Sequence, residues 1–343
     1  MKHRLLLLIA AISVIAAACS SSSDVSDSAT TSSVAPQTTT TTEAPATTTT
    51  SATTTTQALP AERTFTGVDG VETVISDISA IVSLTGDLTE IIFELGLGSN
   101  VVGVDVTTTY PPEAAAMNEQ GNTVGFAQQL TPEAVLRFNP SLVIGDQTIA
   151  PQETIDQLRA AGIPVIILES RTTLDGALAK IGDVAEILDV PDAGTELILR
   201  VGNEIDAATT LANSAPDQPT IAYIYTRGPQ LVLLFGLGMP TQAMIEGANA
   251  IDAGVTSGIL GPAPVTPEAL IAAAPDVIVL PEAGIAAMGG LEAFKEVPGI
   301  ADTPAGQTDS FLIYDEAYFF NLGPRVGLAL TDFVNDLYPD LGG

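Results

Sequence analysis

Two segments of the chain share a pattern that decides its fold. Residues 130–144 read LTPEAVLRFNPSLVI, and residues 265–279 read VTPEALIAAAPDVIV. In each, the second residue is a threonine suited to cap a helix, followed by a proline at the first helical position and a glutamate in the first turn. A second proline ends the helix, and a run typical of a buried strand follows. The constant offset of 135 residues indicates a duplicated α/β unit.

Strand and helix patterns alternate through the chain from residue 61. The predicted strands are Ala80–Leu84, Val101–Val104, Leu142–Gly145, Val165–Leu168, Thr220–Tyr225, Leu231–Phe235, Val277–Leu280 and Phe311–Tyr314. The predicted helices are Thr89–Leu95, Pro132–Arg137, Pro151–Ala161, Thr173–Leu188, Thr241–Gly247, Pro267–Ala273 and Gly327–Leu337. This alternation predicts parallel sheets covered on both faces by helices, in two similar α/β lobes.

A long helix is predicted between the two copies. Residues 193–213 contain no proline, and apolar residues recur at helical spacing from Leu197 to Leu211. At 1.5 Å per residue this helix is roughly 30 Å long, so we expect it to connect the lobes rigidly. The predicted division is a leader at 1–18, a linker at 19–60, an N-terminal lobe at 61–190, a connecting helix at 191–215 and a C-terminal lobe at 216–343.

The first residues have the pattern of a lipoprotein leader. The chain starts MKHRLLLLIAAISVIAAAC, in which basic residues precede an apolar run that is too short to span a bilayer. Small residues before Cys19 resemble the bacterial lipobox, whose cysteine is acylated; the alternative is an ordinary secretory leader. From Ser20 to about Pro60 the chain is mostly Ser, Thr, Ala and Pro, which favours an extended spacer.

Composition excludes several classes of function. With 41 acidic against 11 basic residues, the net charge is −30, so we expect no nucleic-acid partner. The single histidine, His3, lies in the leader, which excludes histidine-based triads from the mature chain, and Cys19 is the single cysteine, which excludes thiolate metal clusters. Since nucleophile-elbow and phosphate-loop motifs are also absent from the sequence, we expect no enzyme activity.

Several longer motifs carry a resemblance to a known family. They are IVSLTGDLTEIIFELGLGSNVVGVDVTTTYP at 81–111, QLTPEAVLRFNPSLVI at 129–144, VTPEALIAAAPDVIVL at 265–280, GGLEAFKEVPGIADTPAG at 289–306 and NLGPR at 321–325. With the leader and spacer, they resemble the substrate-binding lipoproteins of ABC importers, in the helical-backbone class (class III) that captures iron chelates, haem and cobalamin. The last two motifs are most similar to the haemin-binding subgroup.

The resemblance implies a fold and a function. It implies two Rossmann-like lobes with parallel sheets joined by a long backbone helix. It further implies a monomer, lipid-anchored at the extracellular face of the cell membrane, that captures haem or a related iron chelate as cargo and delivers it to a permease dimer with its ATPase. The alternatives are the same role for a ferric siderophore or cobalamin, or a ligand-sensing surface lipoprotein that transports nothing.

The repeated glutamates are candidates for docking to the permease. By resemblance, Glu133 and Glu268 contact basic pockets of the permease, and matched carboxylates on two lobes suit a two-fold partner. The alternative is that both carboxylates stabilise the first turn of a helix.

Tyr225 is the leading candidate ligand residue. Ferric iron without histidine or cysteine requires hard oxygen donors, and tyrosinate is a good one. Residues i and i+2 of a strand share a face, so Arg227 is expected beside the phenol, where it would lower the pKa of Tyr225. Similar Tyr-x-Arg segments occur in haem-binding relatives. The alternative is a tyrosine that packs at the end of a core strand.

Further residues are assigned to the ligand cleft as candidates. The segment before the Glu133 helix has neither Tyr nor His, unlike many haem binders, but Phe126 can stack on a ring and Gln128 can donate a hydrogen bond. The adjacent carboxylates Asp315 and Glu316 are expected to cover a solvated loop. The remaining candidates, each with a structural role as its alternative, are Tyr110, Met239, Met288, Tyr318, Phe319 and Arg325.

Overall fold

The computed structural model describes residues 62–341. The predicted leader, the lipidation site Cys19 and the spacer therefore lie outside the described residues, as do Gly342 and Gly343. All described residues belong to one compact unit. None of their helices is both long and apolar enough to cross a bilayer. The predicted lobe boundaries remain a prediction.

The strands, in chain order, begin with a hairpin and then alternate with helices. They are β1 Arg63–Thr66, β2 Glu72–Ile75, β3 Ile81–Ser83, β4 Val101–Val104, β5 Leu142–Asp146, β6 Val165–Leu168, β7 Thr220–Thr226, β8 Val232–Phe235, β9 Ile251–Asp252, β10 Pro262–Pro264, β11 Val277–Pro281 and β12 Phe311–Tyr314.

The helices vary from four to 22 residues. They are α1 Gly86–Glu94, α2 Pro112–Glu119, α3 Pro132–Leu136, α4 Gln152–Ala160, α5 Leu174–Ile187, α6 Pro191–Ala212, α7 Pro240–Gly247, α8 Ala253–Thr256, α9 Pro267–Ala273, α10 Glu282–Met288, α11 Leu291–Lys295, α12 Pro304–Thr308, α13 Glu316–Phe320 and α14 Val326–Leu337. Short 3-10 turns lie at Gly98–Asn100 and Ala127–Gln129.

The duplication predicted from the repeated segments is present in the strand pairing. The N-terminal sheet has the order β4-β3-β5-β6, with every pair parallel. In the C-terminal sheet β7 pairs in parallel with β9 and β11, and β11 pairs in parallel with β12. The order β9-β7-β11-β12 therefore repeats the first sheet, and β11 occupies the position of β5.

The C-terminal sheet departs from the prediction of purely parallel sheets. Strand β8 pairs antiparallel with β7, and β10 pairs antiparallel with β8. The short connection from Arg227 to Leu231 explains this, because a tight turn joins antiparallel neighbours whereas a parallel pair requires a crossover. The α/β fold class is confirmed, with one parallel and one mixed sheet.

The long helix predicted between the repeats is α6. It packs against α5 on one side and α14 on the other, and Val201 and Ile205 lie in its apolar stripe. These residues belong to an apolar cluster that includes Val104 of the N-terminal sheet and Tyr223 of the C-terminal sheet. One apolar cluster therefore contacts the buried side of the helix and both sheets, which supports its expected rigidity.

The predicted elements lie close to the observed ones, but several short elements were missed. The hairpin β1–β2 lies before the first predicted strand, and α2 and α10–α13 fall in segments without an assigned helix. Helices of five to eight residues give too few turns for apolar periodicity to be detected. Helix α1 begins at Gly86 rather than at Thr89. A Cβ on residue 86 would come within 2.8 Å of the Thr107 carbonyl oxygen.

Candidate functional site

Tyr225 and Arg227 lie together where β7 ends. Their positions two residues apart place both side chains on one face of the strand. The guanidinium carbon of Arg227 lies 4.6 Å from the centroid of the Tyr225 ring, within the range of a cation–π contact. The opposite side of this arrangement is apolar, since the Tyr225 ring stacks on Phe235 of β8 with centroids 5.3 Å apart. The predicted juxtaposition is present.

Arg227 is paired with a carboxylate that the sequence did not identify as its partner. Its Nη2 atom donates to Oε2 of Glu316 in the first turn of α13. Asp315 caps the same helix by accepting a hydrogen bond of 2.9 Å from the backbone N–H of Tyr318. The expectation that these two carboxylates cover a solvated loop is wrong, because Asp315 is a helix cap and Glu316 is an ion-pair partner.

The electrostatic environment of Tyr225 also differs from the expectation. Burial raises the pKa of its phenol, and the negative charge of Glu316 raises it further. The charge of Arg227 acts in the opposite direction but is the smallest of the three effects. The prediction of a lowered pKa was wrong, because the pKa of Tyr225 is raised.

A second group of aromatic and charged residues surrounds Arg325. The guanidinium carbon lies 3.7 Å from the ring centroid of Tyr110 and 5.1 Å from that of Tyr318. The same guanidinium donates two hydrogen bonds of 3.0 Å to the carboxylate of Glu90 in α1. Arg325 is a predicted cleft residue with a structural role as its alternative, and its guanidinium forms an ion pair within the protein.

Helix α13 connects the two groups. Glu316 at its start contacts Arg227, and Tyr318 two residues later contacts Arg325 and donates a hydrogen bond of 2.8 Å to Asp332. The segment 314–325 therefore supplies residues to both groups, although the sequence assigned only Tyr318, Phe319 and Arg325 of this segment to the ligand cleft.

Phe126 and Gln128 lie in the N-terminal half of the chain, at the 3-10 turn Ala127–Gln129. Both are exposed, and Phe126 has 55% of its surface accessible. Buried Asp105, just after β4, positions their segment by accepting hydrogen bonds from the backbone N–H groups of Thr107 at 2.7 Å and Ala127 at 2.8 Å. An exposed phenylalanine on a fixed loop is available to contact a ligand.

Two cleft candidates are corrected by the structure. Met288 is 8% exposed and packs in an apolar cluster with Leu280 and Phe294, so its sulfur is not available to a ligand. Phe319 is 1% exposed and stacks between Tyr223 and Tyr314, at centroid distances of 5.8 and 5.0 Å. Both residues are structural. Met239 is half-buried against the central apolar cluster, as is Tyr225.

The two repeated glutamates occupy equivalent sites. Glu133 in α3 and Glu268 in α9 are exposed in the first turns of their helices. In each helix the preceding threonine caps the end, with hydrogen bonds of 3.3 Å from Ala134 N–H and 3.2 Å from Ala269 N–H. Both carboxylates are therefore free to face a partner.

In the part of the chain that the structure describes, neither the cavity between α5 and α6 nor an acidic cluster indicates a different site. A cavity of about 460 Å³ lies between α5 and α6 and is lined mainly by small and apolar groups such as Ala185 and Ile198, away from Tyr225. Within residues 62–341, no group of three or more His, Cys, Asp or Glu side chains is arranged to hold a metal ion. The chemistry of the described chain thus concentrates around Tyr225 and Arg325.

Comparison with solved structures identifies a similar protein. The fold is similar to that of the periplasmic heme-binding protein RhuT from Roseiflexus sp. RS-1 in its apo form, with a TM-score of 0.74. The two sequences are 40% identical, and the match covers 77% of this chain and 99% of that chain.

Curated relatives are more distant. The ABC transporter substrate-binding lipoprotein YvrC of Bacillus subtilis, described as uncharacterized, is 24% identical over 78% of this chain and 82% of its own length. The cobalamin-binding protein of Halobacterium salinarum is 28% identical over 60% of this chain, and the match spans 55% of that protein. The family model described as periplasmic binding protein matches residues 81–318. The chain belongs to the periplasmic binding protein family.

Proposed function

We propose that the chain is the substrate-binding subunit of an ABC importer and that its cargo is haem or a related iron chelate. The observation that carries this proposal is the pair formed by Tyr225 and Arg227 at the end of β7. It combines an oxygen donor for ferric iron, a cation for a ligand carboxylate and an aromatic surface for a planar ring. Catalysis is not part of the proposed role.

The chemistry of the pair suits an iron porphyrin. In the proposed complex the phenol of Tyr225 loses its proton and its oxygen binds ferric iron as a hard ligand. Arg227 binds a propionate through a charge-assisted hydrogen bond. The ring of Phe235 behind Tyr225 keeps the phenol in place, since the two rings stack with planes only 14° apart.

The similarity to RhuT supports haem over other cargo. That protein is described as heme-binding, and the alignment includes nearly all of its length at 40% identity. The family assignment supports the coarser part of the proposal, a transport-associated binding protein, independently of the cargo.

Cobalamin is the second candidate cargo, and a specific observation favours it. The segment Gly125–Gln129 supplies no tyrosine or histidine that could act as a second axial ligand to haem iron. It presents exposed Phe126 and Gln128 instead, which suit a bulky ligand bound without coordination from this side. The relative in Halobacterium salinarum is described as cobalamin-binding.

The remaining parts of the role concern its location and partner. We propose that acylated Cys19 anchors a monomer at the extracellular face of the membrane and that residues 20–60 act as a spacer. Glu133 and Glu268 then dock to the permease, one on each side of its two-fold axis. Exposure of both carboxylates at equivalent helix starts supports this proposal.

Titration with three cargo classes tests the proposed function. The full-length protein is titrated with haem, aquacobalamin and a ferric catecholate siderophore, and binding is followed by visible absorption and calorimetry. We expect saturable one-to-one binding of haem with a changed haem spectrum, and at least tenfold weaker binding of the other two. Preferential binding of aquacobalamin would support the second candidate. Failure to bind any of the three would contradict the proposed function.

A further inference from the structure

Glu316 forms an ion pair with Arg227, the residue to which the proposed function assigns the ligand carboxylate. The Arg227–Glu316 ion pair joins the ends of β7 and β12, which are separated by β11 in the sheet. At about 4.8 Å per strand, the pair therefore crosses roughly 10 Å of the carboxyl edge of the sheet. A ligand carboxylate that approaches Arg227 meets a guanidinium that already has an anionic partner.

The backbone of Glu316 is held in place by helix α13, while its side chain can still change direction. The Asp315 side chain caps α13, and Tyr318 is held by Asp332 and lies beside Arg325. Glu316 is therefore not a mobile surface carboxylate that meets Arg227 by chance. Its side chain is 25% exposed and that of Arg227 is 39% exposed, so both remain accessible from solvent and an incoming anion can replace the carboxylate.

We propose that Glu316 is an internal competitor of the ligand carboxylate and thereby a specificity-determining residue. In the empty protein it neutralises Arg227. When a ligand with a carboxylate enters, that carboxylate replaces Glu316 on Arg227, and Glu316 turns to solvent. A ligand without a carboxylate leaves the ion pair intact. This inference rests on the proposed function, because it assigns to Arg227 the binding of the ligand's carboxylate.

The alternative role for Glu316 predicts the opposite result. If Glu316 only oriented Arg227 for the ligand, its loss would weaken binding of ligands that carry carboxylates. If it only stabilised the fold, its loss would lower thermal stability without changing the preference between ligands. Competition alone predicts that loss of the carboxylate strengthens the binding of carboxylate ligands selectively.

The experiment compares haem with haem dimethyl ester, in which both propionates are neutral. Dissociation constants are measured for the full-length protein and for Glu316→Gln, which keeps the size of the side chain and removes its charge. We expect Glu316→Gln to bind haem about threefold to tenfold more tightly. This is the size of effect expected when haem no longer has to break a partly exposed ion pair in order to bind Arg227. Binding of the ester should be unchanged.

A matched control is provided by Glu292. It lies in the first turn of the five-residue helix α11 and pairs with Lys295 at 2.8 Å, and that ammonium lies 5.6 Å from the ring centroid of Phe311. Glu292→Gln thus removes one carboxylate of a more exposed ion pair, whose lysine keeps Asp309 as a second partner at 2.6 Å, and should leave both affinities unchanged. In the background of Arg227→Gln, the substitution Glu316→Gln should no longer strengthen haem binding.

The outcomes separate the inference from the proposed function. If all variants bind haem but Glu316→Gln binds it equally or more weakly than the unsubstituted protein, competition is disproved and the proposed function stands. A gain that is equal for haem and its ester also disproves competition. If neither the unsubstituted protein nor Glu316→Gln binds haem, both the proposed function and this inference fail.

Discussion

Arg325 donates two hydrogen bonds of 3.0 Å to Glu90, and this ion pair joins residues 235 positions apart in the sequence. Glu90 lies in α1 near the N-terminal sheet, and Arg325 directly precedes α14, which packs on the long helix α6. The carboxylate of Glu90 is buried, and burial raises its pKa even though Arg325 acts in the opposite direction. A contact of this kind fixes the two halves of the chain relative to each other.

Loss of Arg325 should destabilise the protein strongly. Arg325→Gln leaves the buried Glu90 carboxylate without its cation, and we expect the free energy of unfolding to fall by about 2–4 kcal/mol. The measurement is denaturant unfolding followed by circular dichroism. Arg200 provides the control, since it pairs at 2.9 Å with Glu94 one turn further along α1, but its side chain is 40% exposed. Arg200→Gln should cost less than about 1 kcal/mol. Equal losses in the free energy of unfolding for the two substitutions would contradict the conclusion that Arg325 stabilises the protein by pairing with buried Glu90.

Removal of the Tyr223 hydroxyl should not destabilise the fold. Tyr223 is 1% exposed, and its hydroxyl oxygen has no hydrogen-bond partner among the described residues. A buried hydroxyl without a partner costs roughly 1–3 kcal/mol, so Tyr223→Phe should raise the free energy of unfolding by about 1 kcal/mol. Thermal unfolding at pH 7 tests this, and a clear loss of stability would show that the hydroxyl is hydrogen-bonded, for example to a buried water.

Alkaline pH should destabilise the protein through its buried tyrosines. Burial and the hydrogen bond to Asp336 raise the pKa of Tyr314. An unfolded tyrosine ionises near pH 10, so above this pH the unfolded chain releases a proton that the folded protein keeps. The free energy of unfolding should then fall by about 1.4 kcal/mol per pH unit for this residue, up to its raised pKa.

Tyr314→Phe tests this pH dependence directly. Asp336 is exposed, so the substitution leaves no buried polar group without a partner. Denaturant unfolding between pH 7 and 9 should give the same difference between the two proteins at each pH. Above pH 10 the substituted protein should lose stability less steeply. Parallel curves across the whole range would exclude a raised pKa for Tyr314.

The repeated glutamates should affect delivery and not capture. Glu133→Gln and Glu268→Gln should leave haem affinity unchanged, and each should weaken the interaction with the permease complex by about tenfold, as expected for loss of an interfacial charge pair. Stimulation of the ATPase by the loaded protein is the measurement. Glu113, an exposed first-turn glutamate of α2, is the matched control. A loss of stimulation as large for Glu113→Gln would contradict specific docking.

The sequence predicted local features of the fold correctly because their signals are local. The repeat around Glu133 and Glu268, the strand ending in Tyr225 and the helix between the repeats each depend on neighbouring residues. Strand β8 was also predicted, but its antiparallel pairing was not, because that pairing depends on the tight turn between Arg227 and Leu231. Short helices such as α13 gave no usable periodicity.

The ion pairs of the candidate site could not be predicted. Arg227 finds its partner 89 residues away and Arg325 finds its partner 235 residues away, in a chain with 41 acidic residues. Composition cannot select one carboxylate among so many. The predicted direction of the Tyr225 pKa shift was wrong because burial, and then the charge of Glu316, raises this pKa by more than Arg227 lowers it, and neither effect is evident from the sequence.

The central claim, that Tyr225 binds the iron of the cargo, is tested most directly by the visible spectrum of the haem-loaded protein. We expect full-length protein to show the absorption bands of tyrosinate-ligated ferric haem, and Tyr225→Phe to lose these bands and at least tenfold in affinity. Tyr223→Phe, a substitution of the buried tyrosine on the same face of β7, should keep both. An unchanged spectrum and affinity in Tyr225→Phe would contradict the account.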